Sequence, residues 1–255
     1  MMPVSALAQN DSLPQYTTRI RPVMQLAEAE VTAMMALYLA HYAGSSPEIF
    51  RTDLGEKDEV LLLSFAGELV GFTTLKVYDA VWRGRNIRVL YSGDTVVARA
   101  HWGQQALAFA WIGHIGEIRW QAPETPLYWF LLVKGHRTFK YLSVFANDFF
   151  PHWQVPQPEL QALAGQLAAA RYGSCFDAVR GIVHFPVSQG HLRAELAEAT
   201  PEELNKPAVR FFFERNPGFR HGDELVCLCE VEVGNMKPLA ARIFRRALTG
   251  DEHAR

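Results

Sequence analysis

The sequence predicts an α+β (α/β) domain, and three features carry that prediction. Residues 60–97 hold three β-rich runs separated by turn formers, the pattern of an antiparallel meander. Leu127–Val133 (LYWFLLV) is apolar on both faces, as a strand in the middle of a sheet must be. Stretches with helical spacing of apolar residues stand before, between and after these runs.

In chain order, residues 16–22 (YTTRIRP) alternate as a strand, and Gln25–Tyr42 places Leu26, Met34, Leu37, Tyr38 and His41 at helical spacing until Gly44. Ser45-Ser46-Pro47-Glu48 supplies a cap and a first-turn Pro for a second helix through about Leu54. Val60–Phe65, the turn Ala66-Gly67-Glu68 and Leu69–Val77 form a hairpin, and Ile87–Val97 follows the polar loop Trp82-Arg83-Gly84-Arg85. Gln104–Arg119 is apolar on nearly every face, so a helix buried on most sides is expected. After the central strand, Lys134-Gly135 is a break, and Arg137–Phe149 returns to helical spacing until Pro151. A Pro-rich link (PHWQVPQP) leads to a helix from Pro158 to Tyr172, closed by Gly173. The last third offers a strand at Val209–Phe213, a turn at Asn216-Pro217-Gly218, a strand at Leu225–Val233 and a helix from Lys237 to Leu248 with a cationic last turn. These pieces complete or extend one sheet. Residues 1–15 read as a flexible tail and residues 16–255 as a single domain, with a core at 16–150 and a C-terminal part at 151–255.

Composition excludes several functions. With 255 residues, 49% hydrophobic and 20% charged, the chain has the balance of a folded soluble protein. A net charge of −2 gives no broad basic field for nucleic acid or an anionic membrane. The longest apolar stretches, Leu107–Ile118 and Leu127–Val133, fall short of the roughly 20 residues of a membrane-spanning helix. Three cysteines form no disulfide framework and suit a reducing cytoplasm. Ser5-Ala6-Leu7-Ala8 looks like a cleavage site, but no cationic start or sustained apolar segment precedes it. Cys227-x-Cys229 puts two thiols on one strand face with no second pair at zinc spacing, so buried strand cysteines and no metal are expected. Cys175 shows no positioned base that would make it a nucleophile.

The order of one strand, two helices, a three-strand meander, a helix, a strand, a helix and terminal strands resembles the acyl-CoA N-acyltransferase fold, the GNAT superfamily. Asp53-Leu54-Gly55-Glu56-Lys57-Asp58, Gly71-Phe72-Thr73-Thr74, and Ser92-Gly93-Asp94-Thr95 with Trp102-Gly103 are similar to segments of an uncharacterised branch of that superfamily over roughly residues 16–150. The resemblance implies a mixed, mostly antiparallel sheet whose fourth and fifth strands splay apart. It also implies that the loop after the fourth strand binds the pyrophosphate of an acyl donor through backbone N–H groups. That loop is Ala98–Ala106 (ARAHWGQQA), and Val96, Val97, Arg99, His101, Trp102, Gly103, Gln104 and Gln105 are the expected donor-binding residues. A helix start presents unpaired N–H groups and partial positive charge, which suits a phosphate on physical grounds alone. Aligned on its only Gly, the loop departs from the family's Arg/Gln-x-x-Gly-x-Gly/Ala, with Gln105 and Leu107 where the family has small residues.

Acyl transfer to nitrogen needs a deprotonated amine, a polarised carbonyl and a reprotonated thiolate. Asp94 stands on the fourth strand, where many members carry a base; its alternative role is to satisfy backbone N–H groups at a bulge after Gly93. His101 and His136 stand at helix entrances, where the dipole favours the neutral form; each is either a base, a donor to phosphate or carbonyl, or an exposed loop residue. Arg137 either binds phosphate or pairs as an ordinary helix-start residue. Tyr141 is the expected general acid, with core packing as its alternative. Aromatic residues from Trp102 to Trp153 line either an acyl tunnel or a large core. The turn-rich 216–224 segment is either a hairpin loop or an acceptor contact through Asn216 or Asp223.

The function implied is acyl transfer from acyl-CoA, or from an acyl-carrier protein's phosphopantetheine arm, to an amine of a small molecule or peptide. A fatty-acyl transferase of a biosynthetic pathway and a non-catalytic acyl-CoA-binding protein are the alternatives. Nothing in the sequence fixes an oligomeric state.

Overall fold

The computed structural model describes residues 15–248. The tail expected at residues 1–15, with its cleavage-like segment, lies outside the described residues except for Gln15. In chain order the elements are β1 (Tyr16–Pro22), α1 (Glu28–His41), β2 (Tyr42–Ala43), α2 (Pro47–Gly55), β3 (Glu59–Phe65), β4 (Glu68–Trp82), β5 (Arg85–Val97), α3 (Ala106–Trp120), β6 (Leu127–Val133) and α4 (His136–Phe145). There follow α5 (Pro158–Tyr172), β7 (Phe176–Asp177), β8 (Ile182–Val183), β9 (His191–Leu192), α6 (Ala194–Ala197), α7 (Pro201–Leu204), α8 (Pro207–Arg215), β10 (Glu224–Glu230) and α9 (Pro238–Leu248). The signals behind these elements are local. Ser46 caps α2 by accepting from the Ile49 amide at 3.2 Å, with Pro47 at the first helical position. The β3–β4 and β4–β5 hairpins turn at Ala66-Gly67 and Arg83-Gly84, each a pair with positive φ that matches strand twist. The second turn is tighter than expected, so β4 and β5 run on as long strands to Trp82 and from Arg85.

Eight strands form one sheet in the order β1-β3-β4-β5-β6-β10-β8-β7, while β2 and β9 pair separately. Every pairing in the large sheet is antiparallel except β5 with β6. That parallel pair runs from Arg88 opposite Leu127 to Ser92 opposite Leu131 and stops, although β5 continues to Val97 and β6 to Val133. The sheet is therefore mixed, mostly antiparallel and flanked by helices, with the two central long strands parting as the GNAT resemblance implies.

Both sheet faces are buried, and strand alternation distributes side chains between them. Leu61 and Leu63 of β3 enter the layer of α3, α4 and α9, whereas Val60 and Leu62 pack under α1 and α2. Val226 and Leu228 of β10 meet α5 through Leu163 and Leu167, and Cys227 and Cys229 point into the opposite layer. The two thiols are fully buried, as the spacing predicts, and burial pushes their pKa values up. Gly116 lets α3 lie against α9, since a Cβ there would stand 2.7 Å from Ala247 Cβ and 3.0 Å from the Phe244 carbonyl. No helix among the described residues is long and apolar enough to cross a membrane.

Three expectations are corrected. Val209–Phe213 lies in helix α8, not a strand, with Pro207 in its first turn; Val209 and Phe212 are buried at helical spacing, and Phe211 stacks on Phe139 of α4. A five-residue stretch with four apolar positions, Val209-Arg210-Phe211-Phe212-Phe213, does not separate helix from strand by periodicity. The Asn216-Pro217-Gly218 turn consequently joins a helix to β10 instead of closing a hairpin. Helix α4 ends at Phe145, short of Phe149, because Ala146 and Phe150 bridge to Met236 and Leu228.

Candidate active site

Where β5 and β6 part, a cleft of about 980 Å³ opens, bounded by both strand ends, α1, α2, α4 and the C-terminal part. The β4–β5 pairing jumps from Thr73 opposite Thr95 to Leu75 opposite Ser92. Gly93 and Asp94 thus face the single residue Thr74, which is a β-bulge on β5. The bulge weighed against a functional Asp94 is present, and it coexists with an Asp94 that lines the cleft. Gly93 is required by close approach, because a Cβ would lie 2.4 Å from Thr74 Oγ1 and 2.6 Å from Lys57 Cε.

The motifs distant in sequence converge here. Thr73 and Thr95 hydroxyls are 2.7 Å apart, and the Trp129 indole N–H donates to Ser92 Oγ at 2.9 Å. Lys57, buried, pairs with Asp53 one helical turn away at 2.6 Å. Its ammonium also lies 5.5 Å from the Tyr91 ring centroid. Lys134, at the end of β6, pairs with Glu224 at the start of β10 at 3.4 Å, and Arg171 of α5 pairs with Glu56 at 2.9 Å. Glu48 at the exposed rim is held by Ser46. Among the described residues, Asp94 alone of the cleft carboxylates has neither an ion pair nor a hydrogen bond.

This arrangement sets the electrostatics. Burial, with repulsion from Asp53, pushes the Asp94 carboxyl up to about 7, against the pull of Lys134 and Lys57. Burial works against the Lys134 ammonium, yet Glu224, Tyr42 and Asp94 outweigh it and raise its pKa. Burial raises Glu224 despite Lys134. The Tyr38 hydroxyl is pushed up to about 12 by burial and by Asp94.

At the other end of the cleft lies the start of α3. Gly103 has φ +90°, the left-handed region that favours glycine, and a Cβ there would meet nothing within 4 Å. Among the described residues the amides of Gly103, Gln104 and Gln105 have no hydrogen-bond acceptor. Gln104 Oε1 accepts from the Leu107 amide at 3.1 Å, so the loop supplies its own cap to one of the helix's open donors. Leu107, one of the two departures from the family pattern, is buried in the core beneath the helix and takes no space in the cleft. Gln105, the other, is exposed and outside the lining. The residues present therefore fit a phosphate-bearing group: two open amides on cleft-lining residues, Gly103 and Gln104, with neither departure in the lining and the Arg137 guanidinium 5.0 Å from the Trp102 ring.

Of the eight residues expected to bind donor, Val96, Val97, His101, Trp102, Gly103 and Gln104 line the cleft, whereas Arg99 and Gln105 do not. Arg99 lies over the Trp102 ring at 5.9 Å. The Val97 carbonyl already accepts from Trp102 Nε1 at 2.8 Å and lies 3.0 Å from His41 Nε2. His101 Nδ1 is 3.0 Å from the Tyr16 hydroxyl. Arg137 lines the cleft and pairs with Glu203 at 3.2 Å, the ordinary helix-start pairing expected of it.

His136 is corrected on two counts. It is buried rather than exposed, and it is absent from the cleft lining, because α4 turns it toward Phe213 and Glu203. Its Nε2 lies 3.4 Å from Glu203 Oε2 and its Nδ1 has no hydrogen bond among the described residues, and burial, followed by Arg137, lowers its pKa. Tyr141 lines the cleft and is 43% exposed, which removes the core alternative; desolvation raises its pKa. Asn216 is buried and donates to the Asp223 carbonyl at 2.8 Å, while Asp223 engages His184 at 2.5 Å. Neither lines the cleft, but the next residue, Glu224, does.

The aromatic residues expected around the cleft are mostly core. Trp111, Trp129 and Phe145 pack on one another, and Trp102 alone of the group reaches the cleft. Besides Trp102, the rings of Tyr38, Tyr42, Tyr91, Tyr141, Tyr172 and Phe185 line it. Sequence reasoning missed five residues of the charged floor: Asp53, Lys57, Lys134, Arg171 and Glu224. Lys134 and Glu224 carried a signal, each being a charge at the end of an otherwise apolar strand.

No family model matches the chain, and no curated protein matches it. It is similar to a conserved protein from Enterococcus faecalis V583 described as a probable N-acyltransferase, at 11% identity over 52% of this chain and 33% of that one, with a TM-score of 0.39. The chain thus spans about a third of the length of that structure. It is also similar to a GNAT family N-acetyltransferase from Escherichia coli in complex with CoA, at 14% identity over 53% of this chain and 71% of the other, with a TM-score of 0.38. An acyl-CoA N-acyltransferase from Pseudomonas aeruginosa is similar at 17% identity over 51% of this chain and 88% of its own, with a TM-score of 0.38.

Proposed function

We propose that this protein is an acyltransferase that moves an acyl group from a phosphopantetheine thioester, an acyl-CoA, to an amine. One observation carries the reading: a single cleft holds open amides at the start of α3 and, at the bulge of β5, an unpartnered carboxylate pushed up to about 7. A base with a pKa near neutrality combines the deprotonated form with enough affinity to take a proton from an ammonium. In this reading Gly103, Gln104 and the helix start hold the donor's phosphates, with Arg137 adding charge. Asp94 takes the proton of the acceptor ammonium, and the freed nitrogen attacks the thioester carbonyl carbon. The C–N bond forms and the C–S bond breaks; the leaving thiolate takes a proton from the Tyr141 hydroxyl or from water, and the attacking nitrogen gives up its second proton, which restores that hydroxyl or passes to water.

Calorimetry with acetyl-CoA and palmitoyl-CoA, together with thiol release in the presence of amines, tests it. Binding of at least one donor is expected, with Asp94→Asn retaining binding and losing turnover by about 10²–10⁴-fold, the usual worth of a positioned base. An active Asp94→Asn enzyme would remove Asp94 from the mechanism. The self-cap of Gln104 and the occupied Val97 carbonyl favour a second reading, an acyl-CoA-binding protein without catalysis. Donor binding with no thiol release for any amine would select it. No binding to either donor or to an acylated carrier protein would sink both.

A further inference from the structure

Resting on the acyl-transfer reading, we propose that the acceptor is a small monoamine enclosed in the cleft, and not a lysine or N-terminus of a polypeptide. Two observations carry this, one of enclosure and one of charge.

Enclosure comes from the chain between β8 and β9. β8 lies in the large sheet beside β10, whereas β9 pairs with β2 after α1, so residues 184–190 cross from one side of the cleft to the other. The crossing is anchored at both ends. The His184 amide donates to the Cys175 carbonyl at 2.8 Å and its ring meets Asp223 at 2.5 Å. At the far end the Arg193 amide donates to the His41 carbonyl at 2.9 Å, and its guanidinium to the Leu39 carbonyl at 3.0 Å. Between the anchors, Gly190 at φ +96° fits against Ser45, where a Cβ would stand 2.8 Å from Ser45 Cβ. Phe185, Gln189 and Leu192 face the cleft from this wall. A polypeptide acceptor has to pass this crossing to reach Asp94 from that side, whereas a small amine fits beside it.

Charge comes from the pairing already described. Lys57, Lys134 and Arg171 match Asp53, Glu224 and Glu56, and Glu48 stands at the exposed rim bonded to Ser46, which among the described residues leaves Asp94 as the one acid of the cleft floor with no counter-charge of its own. One ammonium is neutralised there. The second ammonium of a diamine would be desolvated beside Lys134 and Arg171, at a cost that discriminates against it.

The test measures thiol release from acetyl-CoA and octanoyl-CoA by the purified protein. Phenethylamine and ethanolamine serve as monoamines, putrescine as the diamine, and a decapeptide with one lysine as the polypeptide. A monoamine is expected to exceed putrescine and the peptide in kcat/KM by at least about 10-fold, the scale of a missing charge partner or a steric mismatch. Phe185→Ala thins the wall, and the ratio of peptide to monoamine turnover is expected to rise, with the melting temperature checking that the variant is folded. If that variant unfolds, wild-type selectivity alone decides. Faster acylation of the peptide or of putrescine overturns this inference while leaving acyl transfer standing. Acyl-CoA binding with no monoamine acylated overturns it as well. Absence of both acyl-CoA binding and thiol release removes the underlying reading instead.

Discussion

At the scale of single residues, the proposed chemistry rests on Asp94. Its carboxyl is pushed up to about 7 by burial and by Asp53, so activity that depends on its ionised form rises with pH through that value and levels off above it. The pH profile of kcat/KM in the wild type should show this acidic limb, and any residual activity of Asp94→Asn should lack it. The same shift has a consequence for stability. A carboxyl with a folded pKa above its unfolded one binds more protons when folded, so stability is fully present below about 3.8 and falls as pH rises to about 7. Asp94→Asn removes this loss: its melting temperature relative to wild type should climb between pH 4 and pH 7 and then hold constant, as followed by circular dichroism. The place of Asp94 in the cleft was legible because a carboxylate inside a β-run is disfavoured and calls for a reason. Its charged neighbours were less so: Lys134 and Glu224 stand out only as charges at the ends of apolar strands, and Asp53 and Arg171 are of ordinary appearance until separate elements bring them together.

At the scale of elements, the bulge on β5 is the device that turns a strand residue into a cleft residue. Gly93→Ala tests it. The added methyl meets Thr74 Oγ1 and the buried Lys57 stem, neither with free space to retreat into. A loss of about 1–3 kcal/mol in a denaturant titration is expected, as for other overpacked sites, together with reduced turnover because Asp94 is re-aimed. The strands and long helices were readable from periodicity, hairpin turns and caps, and α5 matches its expected limits at Pro158 and Tyr172. Residues 207–215 were misread because Phe211-Phe212-Phe213 satisfies either period. The stretch from Gly173 to Thr200 gave no element at all, for its strands are two residues long and exist only through partners distant in sequence.

At the scale of the whole molecule, the C-terminal part is woven into the sheet. β10 pairs with β6 along six residues from Leu225 to Glu230, and it carries the only route by which β8 and β7 join. A chain ended after Phe150 would expose both the edge of β6 and the face that α5 covers. It is expected to be insoluble or molten, lacking the near-ultraviolet circular dichroism of the full chain; a cooperative melt of that fragment would show the first 150 residues to be self-sufficient. The GNAT resemblance covered the first half of the chain and said little about this part, which is why the wall of the cleft was not foreseen. The β6–β10 seam also sets an order of events during synthesis. The strand LYWFLLV leaves the ribosome roughly a hundred residues before its antiparallel neighbour exists. For that interval one edge of the most apolar strand in the protein stays unpaired, an invitation to pair with another nascent chain, so the yield of folded protein in a cell depends on what shelters that edge until residue 230 arrives.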